Sequence, residues 1–217
     1  METIQRILQD KISGRIAPGK AVLIFGARRV GKTVMMRKIV DSYPGRTMML
    51  NGEDYDTLAL LENRTVANYR HLLEGIDLLA IDEAQNIPRV GSILKLIVDE
   101  IPGVSVLASG SSSFDLLNKT GEPLVGRSTQ FLLTPFSQRE IAQTETALKT
   151  RQNLEARLIY GSYPEVVMMD NFERKTDYLR DIVGAYLLKD ILAIDGLKNS
   201  SKMRDLLRLI AFQLGSE

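Results

Sequence analysis

The residues Gly26-Ala27-Arg28-Arg29-Val30-Gly31-Lys32-Thr33 separate an apolar run, Ala21–Phe25, from a helical pattern that starts at Val34. Their spacing is G-x-x-x-x-G-K-[ST], in which two glycines bound a tight turn between a buried strand and a helix. Such a turn points its backbone N–H groups at an anion, and the dipole of the following helix adds positive potential there. The pattern therefore predicts a strand, a phosphate-binding loop and a helix, rather than a glycine turn without a ligand.

Two side chains of this loop have predicted roles of their own. Lys32 can reach the outer phosphates as a point charge, and the Thr33 hydroxyl can take one position on Mg²⁺. We expect the whole segment to line the nucleotide site: Gly26, Ala27, Arg28, Arg29, Val30, Gly31, Lys32, Thr33 and Val34. Arg28 and Arg29 receive no separate assignment, since either can meet phosphate, a neighbouring molecule or solvent.

A second, nearly continuous apolar run, 76–81, is interrupted only by Asp77 and is followed by two carboxylates, Asp82 and Glu83. The carboxyl ends of parallel strands face the ligand crevice, so Asp82 is predicted to hold Mg²⁺, directly or through water, opposite Thr33. Glu83 is predicted to orient and deprotonate an attacking water. The alternative is an acidic N-cap for the next helix, and the phosphate loop upstream favours the catalytic interpretation.

Three further polar positions have weaker patterns. The strand Val104–Ala108 ends in a serine cluster, from which Ser109 or Ser111 can sense a terminal phosphate or steer a water, although any one serine can equally cap a helix. Arg127 precedes the strand-like segment 128–133 and can stabilise transition-state charge in its own site or a neighbour's, or simply face solvent. His71, the only histidine, has no other metal-ligand type clustered nearby and is predicted to be a surface or capping residue.

Composition narrows the class of protein. Apolar residues make up 44% and charged residues 25% of the 217 residues, the formal net charge is +1, and there is no cysteine. The near-neutral charge does not support nucleic-acid binding, and the missing cysteines exclude disulfides and thiolate metal sites. No apolar run approaches the roughly 20 residues of a membrane span, and the N-terminus does not resemble a signal peptide. The sequence thus predicts a cytoplasmic protein without a membrane span.

The strand-like segments end near Pro135, which predicts two domains. Residues 1–135 form an α/β core with an N-terminal helix at 3–13, and residues 136–217 form an all-helical segment. Its helices are predicted at about 137–149, 151–160, 171–194 and 201–214. The last helix has a wide apolar face and the chain stops soon after it, so we expect a C-terminal domain to follow.

As an ordered set, these motifs resemble the prokaryotic AAA-type ATP-binding proteins that carry a C-terminal domain of unknown function. Those proteins belong to the additional-strand, catalytic-glutamate branch of P-loop ATPases, related to signal-transducing and archaeal-type ATPases. The match rests on the phosphate loop (Walker A), on Leu79–Gln85 (Walker B), on Ala108–Ser113, on Gly126-Arg127 with Leu133–Glu140, on Gly161–Val167 and on Lys189-Asp190-Ile191.

The resemblance implies a three-layer α/β fold with a five-stranded parallel sheet in the order 5-1-4-3-2, followed by a helical lid. It also implies ATP with Mg²⁺, a sensor at the serine cluster, an arginine finger at Arg127, and a turn at 161–164 that brings Pro164 near the nucleotide base. Ser162 and Tyr163 stand where the family most often has glycine and phenylalanine. The guanine-reading pattern N-K-x-D is broken by Gly121 in Asn118-Lys119-Thr120-Gly121, which favours adenine.

Two functions share this site. The first is hydrolysis of ATP, with Lys32 and Glu83 as catalytic residues, coupled to movement of the helical segment. The second is a nucleotide-gated signalling switch, in which binding and slow release matter more than turnover. A DNA-handling motor would need a basic face, which this sequence does not show. A small-molecule kinase is also disfavoured, because such enzymes usually lack a base beside the magnesium aspartate. A homo-oligomer or a protein partner bound through the absent C-terminal domain is compatible with both functions.

Overall fold

A five-stranded parallel sheet forms the centre of the chain. The structure is a computed structural model, and it describes residues 4–111, 124, 126–184 and 200–213. The strands are β1 (Ala21–Phe25), β2 (Thr47–Asn51), β3 (Leu78–Asp82), β4 (Ser105–Gly110) and β5 (Ser128–Leu132). Their order across the sheet is β2-β3-β4-β1-β5, which confirms the predicted order 5-1-4-3-2.

The register of the parallel strands aligns their carboxyl ends along one end of the sheet, which is called the carboxyl edge here; the opposite end is the amino edge. Phe25, the last residue of β1, lies beside Gly110 of β4 and Leu132 of β5. Asp82, the last residue of β3, lies beside Asn51 of β2. Ligand sites of parallel sheets form at this edge. The loop after β1 and the acidic pair after β3 therefore share it.

Helices cover both faces of the sheet. Alternate side chains of the central strands enter two apolar clusters, one containing Leu23, Ile81 and Val106 and the other Val22, Ala80 and Leu107. The helices of this part are α1 (Ile7–Ser13), α2 (Lys32–Asp41), α3 (Tyr55–Glu62), α4 (Val66–Leu72) and α5 (Val90–Glu100). Helix α5 contributes to the first cluster, and α1 and α2 contribute to the second. The predicted three-layer α/β fold is confirmed.

After β5 the described elements are helical. They are α6 (Gln138–Ile141), α7 (Ala147–Gln152), α8 (Leu154–Tyr160), α9 (Pro164–Met168), α10 (Phe172–Ile182) and α11 (Ser200–Gln213). The predicted single helix at 137–149 is wrong, because the chain caps two short helices there. Ser137 forms a capping box with Glu140 at the start of α6, and the Thr146 side chain accepts a hydrogen bond from the Lys149 N–H at the start of α7.

The chain divides into two compact units. One holds the sheet and comprises Met1–Leu154 with Ser162–Pro164, and the other comprises Glu155–Gly161 with Glu165–Glu217. The predicted domain boundary at residue 135 stays a prediction, although the sheet does end before it. The N-terminal helix begins at Ile7, later than the predicted residue 3. The Lys189-Asp190-Ile191 motif and the Asn118–Gly121 segment lie outside the described residues, as does the end of the predicted 171–194 helix.

Within the described ranges, no helix is both long enough and apolar enough to cross a membrane.

Candidate functional site

The loop after β1 has the backbone that its glycines predict. Helix α2 starts at Lys32, and Gly31 before it has φ 95°, in the left-handed region that disfavours other residues. Gly26 is required for a different reason, since a Cβ there would lie 2.3 Å from the carbonyl oxygen of Leu133, just after β5. Arg29 also has a positive φ, 67°. The loop is therefore a tight turn, and its backbone leads directly into a helix N-terminus, whose first amides have no intrahelical acceptor.

The side chains of this loop divide into inward and outward groups. Val30 is fully buried in the apolar cluster with α2, whereas Val34 is 54% exposed. Arg28 is half-buried and Arg29 is exposed. Val30 can therefore offer a ligand only its backbone.

Lys32 is the buried cation of the site. Its side chain is 4% exposed, and Nζ donates hydrogen bonds to the carbonyl oxygens of Gly26 and Ala27, both at 3.0 Å. The ammonium group therefore lies across the loop and is held by its backbone. A buried ammonium needs such acceptors, because the desolvated charge would otherwise be costly.

Thr33 and Asp82 meet across the site. The Thr33 hydroxyl donates a hydrogen bond of 2.6 Å to Asp82 Oδ2, although 49 residues separate the two in the chain. Asp82 is 5% exposed, and its Oδ1 accepts hydrogen bonds from the Glu83 N–H at 3.1 Å and from the Ser109 hydroxyl. The carboxylate is thus fixed on both oxygens.

The Thr33 hydroxyl and the Asp82 carboxylate fit the set of oxygen ligands that Mg²⁺ uses. Mg²⁺ is usually bound by one or two carboxylates together with substrate phosphates and waters. Among the residues that the structure describes, no group of three or more His, Cys, Asp or Glu side chains could hold a metal by protein ligands alone. A single carboxylate beside a hydroxyl suits an ion shared with a phosphate ligand.

Glu83 does not behave as a helix N-cap. It has a left-handed backbone (φ 48°, ψ 41°), precedes only a three-residue 3₁₀ turn, Ala84–Asn86, and makes no side-chain capping hydrogen bond. Instead, its Oε2 accepts a hydrogen bond from Nε2 of Gln85. The backbone on its other side is crowded, since a Cβ at Gly52 would lie 2.4 Å from the Glu83 carbonyl oxygen. Because Glu83 directly follows β3, it lies at the carboxyl edge of the sheet, as predicted.

The two candidate serines have different partners. Ser109 is 1% exposed, and its hydroxyl donates to Asp82, the candidate metal ligand. Ser111 is 2% exposed, and its backbone N–H donates to Oε1 of Gln85 at 3.2 Å. Both lie at the tip of β4, while the later serines of the cluster, 112 and 113, lie outside the described residues. Gln85 was not identified as a site residue from the sequence, although it closes the Leu79–Gln85 motif on which the family resemblance rests.

Arg127 is not brought to the loop of its own chain. It precedes β5 at the amino edge of the sheet, where its carbonyl oxygen accepts a hydrogen bond from the Ala21 N–H at 2.8 Å. The loop follows the opposite end of β1, about 16 Å away for a strand of this length. The side chain forms an ion pair with Asp99 at 2.6 Å, and this hydrogen bond raises the pKa of Arg127.

The turn at 161–164 lies beside the loop. A Cβ placed on Gly31 would lie 3.9 Å from Cγ of Pro164. The Ser162 carbonyl oxygen accepts a hydrogen bond from the Phe136 N–H at 2.9 Å, and Tyr163 packs against the apolar cluster of α2. Burial raises the pKa of Tyr163.

His71 has an 89% exposed side chain that lies 4.0 Å from Glu74, which agrees with a surface histidine.

Comparison with known proteins adds two family matches. The family model described as "AAA domain" matches residues 18–142, more than half of the chain. A second model, described as "Domain of unknown function (DUF8612)", matches residues 151–217.

Among curated proteins, an uncharacterized protein of Methanocaldococcus jannaschii is 21% identical over 219 residues, which cover 94% of this chain and 49% of that protein. An uncharacterized protein of Mycobacterium tuberculosis is 30% identical over 125 residues, which cover 57% of this chain and 27% of that protein. The chain therefore spans half or less of the length of these relatives.

Similar solved structures include a Pif1 helicase from Candida albicans, with a TM-score of 0.45 and 14% identity over 70% of this chain and 44% of that one. They also include AMPPCP-bound DnaA from Aquifex aeolicus, with a TM-score of 0.41 and 14% identity over 95% of this chain and 86% of that one. Similarities of this size bear on neither activity nor substrate.

Proposed function

Because this chain belongs to the AAA domain family, whose model matches residues 18–142, we propose that it hydrolyses ATP with Mg²⁺ at the carboxyl edge of its sheet. Nucleotide binding follows from the family, and hydrolysis is the proposal. The observation that carries it is the 2.6 Å hydrogen bond between Thr33 and Asp82, which joins the phosphate loop to the acidic strand end.

The phosphate-binding groups are the loop backbone, Lys32 and the N-terminus of α2. Lys32 can exchange the carbonyl oxygens of Gly26 and Ala27 for phosphate oxygens, because all are acceptors for the same ammonium group. Thr33 and Asp82 would hold Mg²⁺, which supplies positive charge against the phosphates. Ser109 would keep Asp82 oriented through its hydrogen bond to Oδ1.

Glu83 is the proposed general base. Its carboxylate would accept the proton of a water that attacks the terminal phosphate, while Lys32 and the loop amides stabilise the charge that develops on the phosphate oxygens. The left-handed backbone of Glu83 supports this role, because a non-glycine residue in that conformation is uncommon and such strain concentrates at functional sites. The carboxylate also makes no capping hydrogen bond that would give it another purpose.

For the base of the nucleotide we propose adenine, read in part by Pro164. The proximity of Pro164 to Gly31 supports a contact near the loop, and the broken N-K-x-D pattern argues against guanine. For Arg127 we propose a role only in a neighbouring molecule, since it lies at the other edge of its own sheet. Coupling of hydrolysis to the helical segment, and the activity and partners of the longer relatives, are likewise proposals.

The test is ATP turnover by the purified chain and by Glu83→Gln, with Glu62→Gln as the matched control on the exposed face of α3. We expect Glu83→Gln to retain ATP binding and to lose at least about 10²-fold in turnover, the usual contribution of a general base. Glu62→Gln should match the wild type. If the wild-type chain binds ATP but releases no phosphate at any protein concentration, the hydrolysis proposal fails and the signalling switch replaces it.

A further inference from the structure

One side chain bridges the acidic pair and the tip of β4. Gln85 Nε2 donates to the Glu83 carboxylate, and Gln85 Oε1 accepts a hydrogen bond from the Ser111 backbone N–H at 3.2 Å. The orientation of the amide follows from its partners. A backbone N–H can only donate and a carboxylate can only accept, so the oxygen must face Ser111 and the NH₂ group must face Glu83.

The backbone that presents Gln85 is fixed by burial. Ala84 is fully buried and Ile87 is 2% exposed, so both flanks of the 3₁₀ turn are anchored in the apolar cluster. Gly52 packs against the carbonyl oxygen of Glu83 and so restricts the backbone just before the turn as well. A partly buried glutamine on such a turn therefore has a defined reach, and it spans from the end of β3 to the end of β4.

The direction of the bridge matters for the chemistry. Strand β4 lies between β3, which ends at Asp82, and β1, which leads into the phosphate loop. Through Ser111, Gln85 ties the Glu83 carboxylate to the end of β4, the strand that pairs with β1. One carboxylate oxygen of Glu83 is held by the amide, and the other can take a proton from water.

We infer that Gln85 is a positioning residue, which aims Glu83 at the attacking water through its bridge to the tip of β4. The inference rests on the proposed hydrolysis and assigns a role that the sequence motif did not. Gln85 itself moves no proton. It restricts the carboxylate to one orientation, and small errors in such an orientation cost about 10²-fold in rate.

The experiment compares Gln85→Met, Gln85→Glu and Gln152→Met in steady-state hydrolysis of Mg²⁺–ATP by the full chain. Methionine keeps the length of glutamine and removes both hydrogen-bonding groups, and Gln85→Glu replaces the donor by a carboxylate that repels Glu83. We expect both Gln85 variants to lose about tenfold to 10²-fold in kcat, with KM for ATP within about twofold. Gln152→Met, at an exposed position on α7, should match the wild type.

A structural role would show a different pattern, namely a lower urea midpoint or a raised KM with kcat preserved. Either pattern, or a kcat of Gln85→Met equal to or above that of the wild type, overturns the inference. Overall inactivity of the wild type would refute hydrolysis itself, and with it the catalytic purpose of the bridge.

The hydrogen bonds of the Gln85 bridge can also be detected without measuring turnover, by ¹⁵N–¹H NMR spectra of the full chain. We expect Gln85→Met to shift the Ser111 backbone amide, and Glu83→Ala to remove the exchange protection of the Gln85 side-chain amide. Gln152→Met should shift neither signal. Unchanged signals in the Gln85 and Glu83 variants would mean that the bridge does not form, whatever the kinetics, and would overturn the inference independently of the proposed function.

Discussion

The ion pair between Arg6 and Glu140 gives the sharpest stability prediction for this protein. Arg6 Nε lies 3.4 Å from Glu140 Oε1, and the two side chains are only 8% and 6% exposed. The guanidinium also donates to the Thr134 carbonyl oxygen and lies 4.7 Å from the centroid of the Phe136 ring. We consider Arg6→Met, which keeps much of the side-chain length and removes the charge.

The expected loss follows from what remains after the substitution. Removing one partner of a buried pair costs about 3–5 kcal/mol, because the other charge stays buried without compensation. Glu140 would keep hydrogen bonds from the Ile7 N–H at 3.0 Å and from the Ser137 N–H at 2.8 Å. These place the loss at the lower end, about 3 kcal/mol of the free energy of unfolding. Burial lowers the pKa of Arg6 while Glu140 opposes the shift, so the attraction only partly offsets desolvation.

A double-mutant cycle with Glu140→Gln isolates the pair. Because each single variant leaves one buried group without its partner, the double variant should lose less than the sum, by about 1–3 kcal/mol. The assay is urea unfolding, with amide hydrogen exchange of β1 reporting the sheet-bearing unit by itself. Arg15→Met, at an exposed position after α1, is the matched control and should change stability by less than about 0.5 kcal/mol. A loss below about 1 kcal/mol for Arg6→Met would show that the pair contributes no more than an exposed ion pair.

Two further predictions concern the candidate site. Thr33→Val removes the hydroxyl that joins Asp82, so turnover at saturating Mg²⁺ should fall by about 10²-fold, whereas Thr33→Ser should keep most of it. An unchanged Mg²⁺ titration in Thr33→Val would contradict the assignment. Arg127→Gln should leave the turnover of a dilute, monomeric chain within about twofold, because Arg127 lies at the opposite sheet edge and pairs with Asp99. A loss at every protein concentration would contradict that geometry, whereas a loss confined to concentrations where the chain assembles would assign Arg127 to a neighbour's site.

The sequence was sufficient where chemistry follows local order. The strand before Gly26, the loop and helix α2 are contiguous, and the acidic pair ends an apolar run whose burial requires a place within the sheet. Parallel strands align their carboxyl ends, so the meeting of Thr33 with Asp82 could be predicted without knowing the structure. The strand order came from the resemblance to a family, since periodicity alone does not order strands.

The sequence was insufficient where a contact depends on distant backbone. Arg6 and Glu140 are 134 positions apart, and neither lies in a pattern that distinguishes a buried charge from a surface one. The same holds for Gln85, whose partner just after β4 is the backbone N–H of Ser111, a group that every residue except proline carries. The helix at 137–149 was mispredicted because a second helix begins inside it, and Thr146, which caps that helix, is a residue type that also occurs within helices.

Two close backbone contacts, at Gly26 and Gly52, support the two sides of the candidate site. Gly26 lies against the carbonyl oxygen of Leu133, which follows β5, and Gly52, which follows β2, lies against the carbonyl oxygen of Glu83, each with no room for a Cβ. Residues that directly follow the two edge strands, β5 and β2, therefore pack against the phosphate loop and against the candidate base, although neither strand supplies a predicted catalytic side chain. Since packed backbone cannot yield without moving its strand, a side chain at either glycine would displace Lys32 or Glu83 indirectly. The phosphate loop and Glu83 are thus each backed by packed backbone, and Gln85 would set only the direction in which the Glu83 carboxylate points.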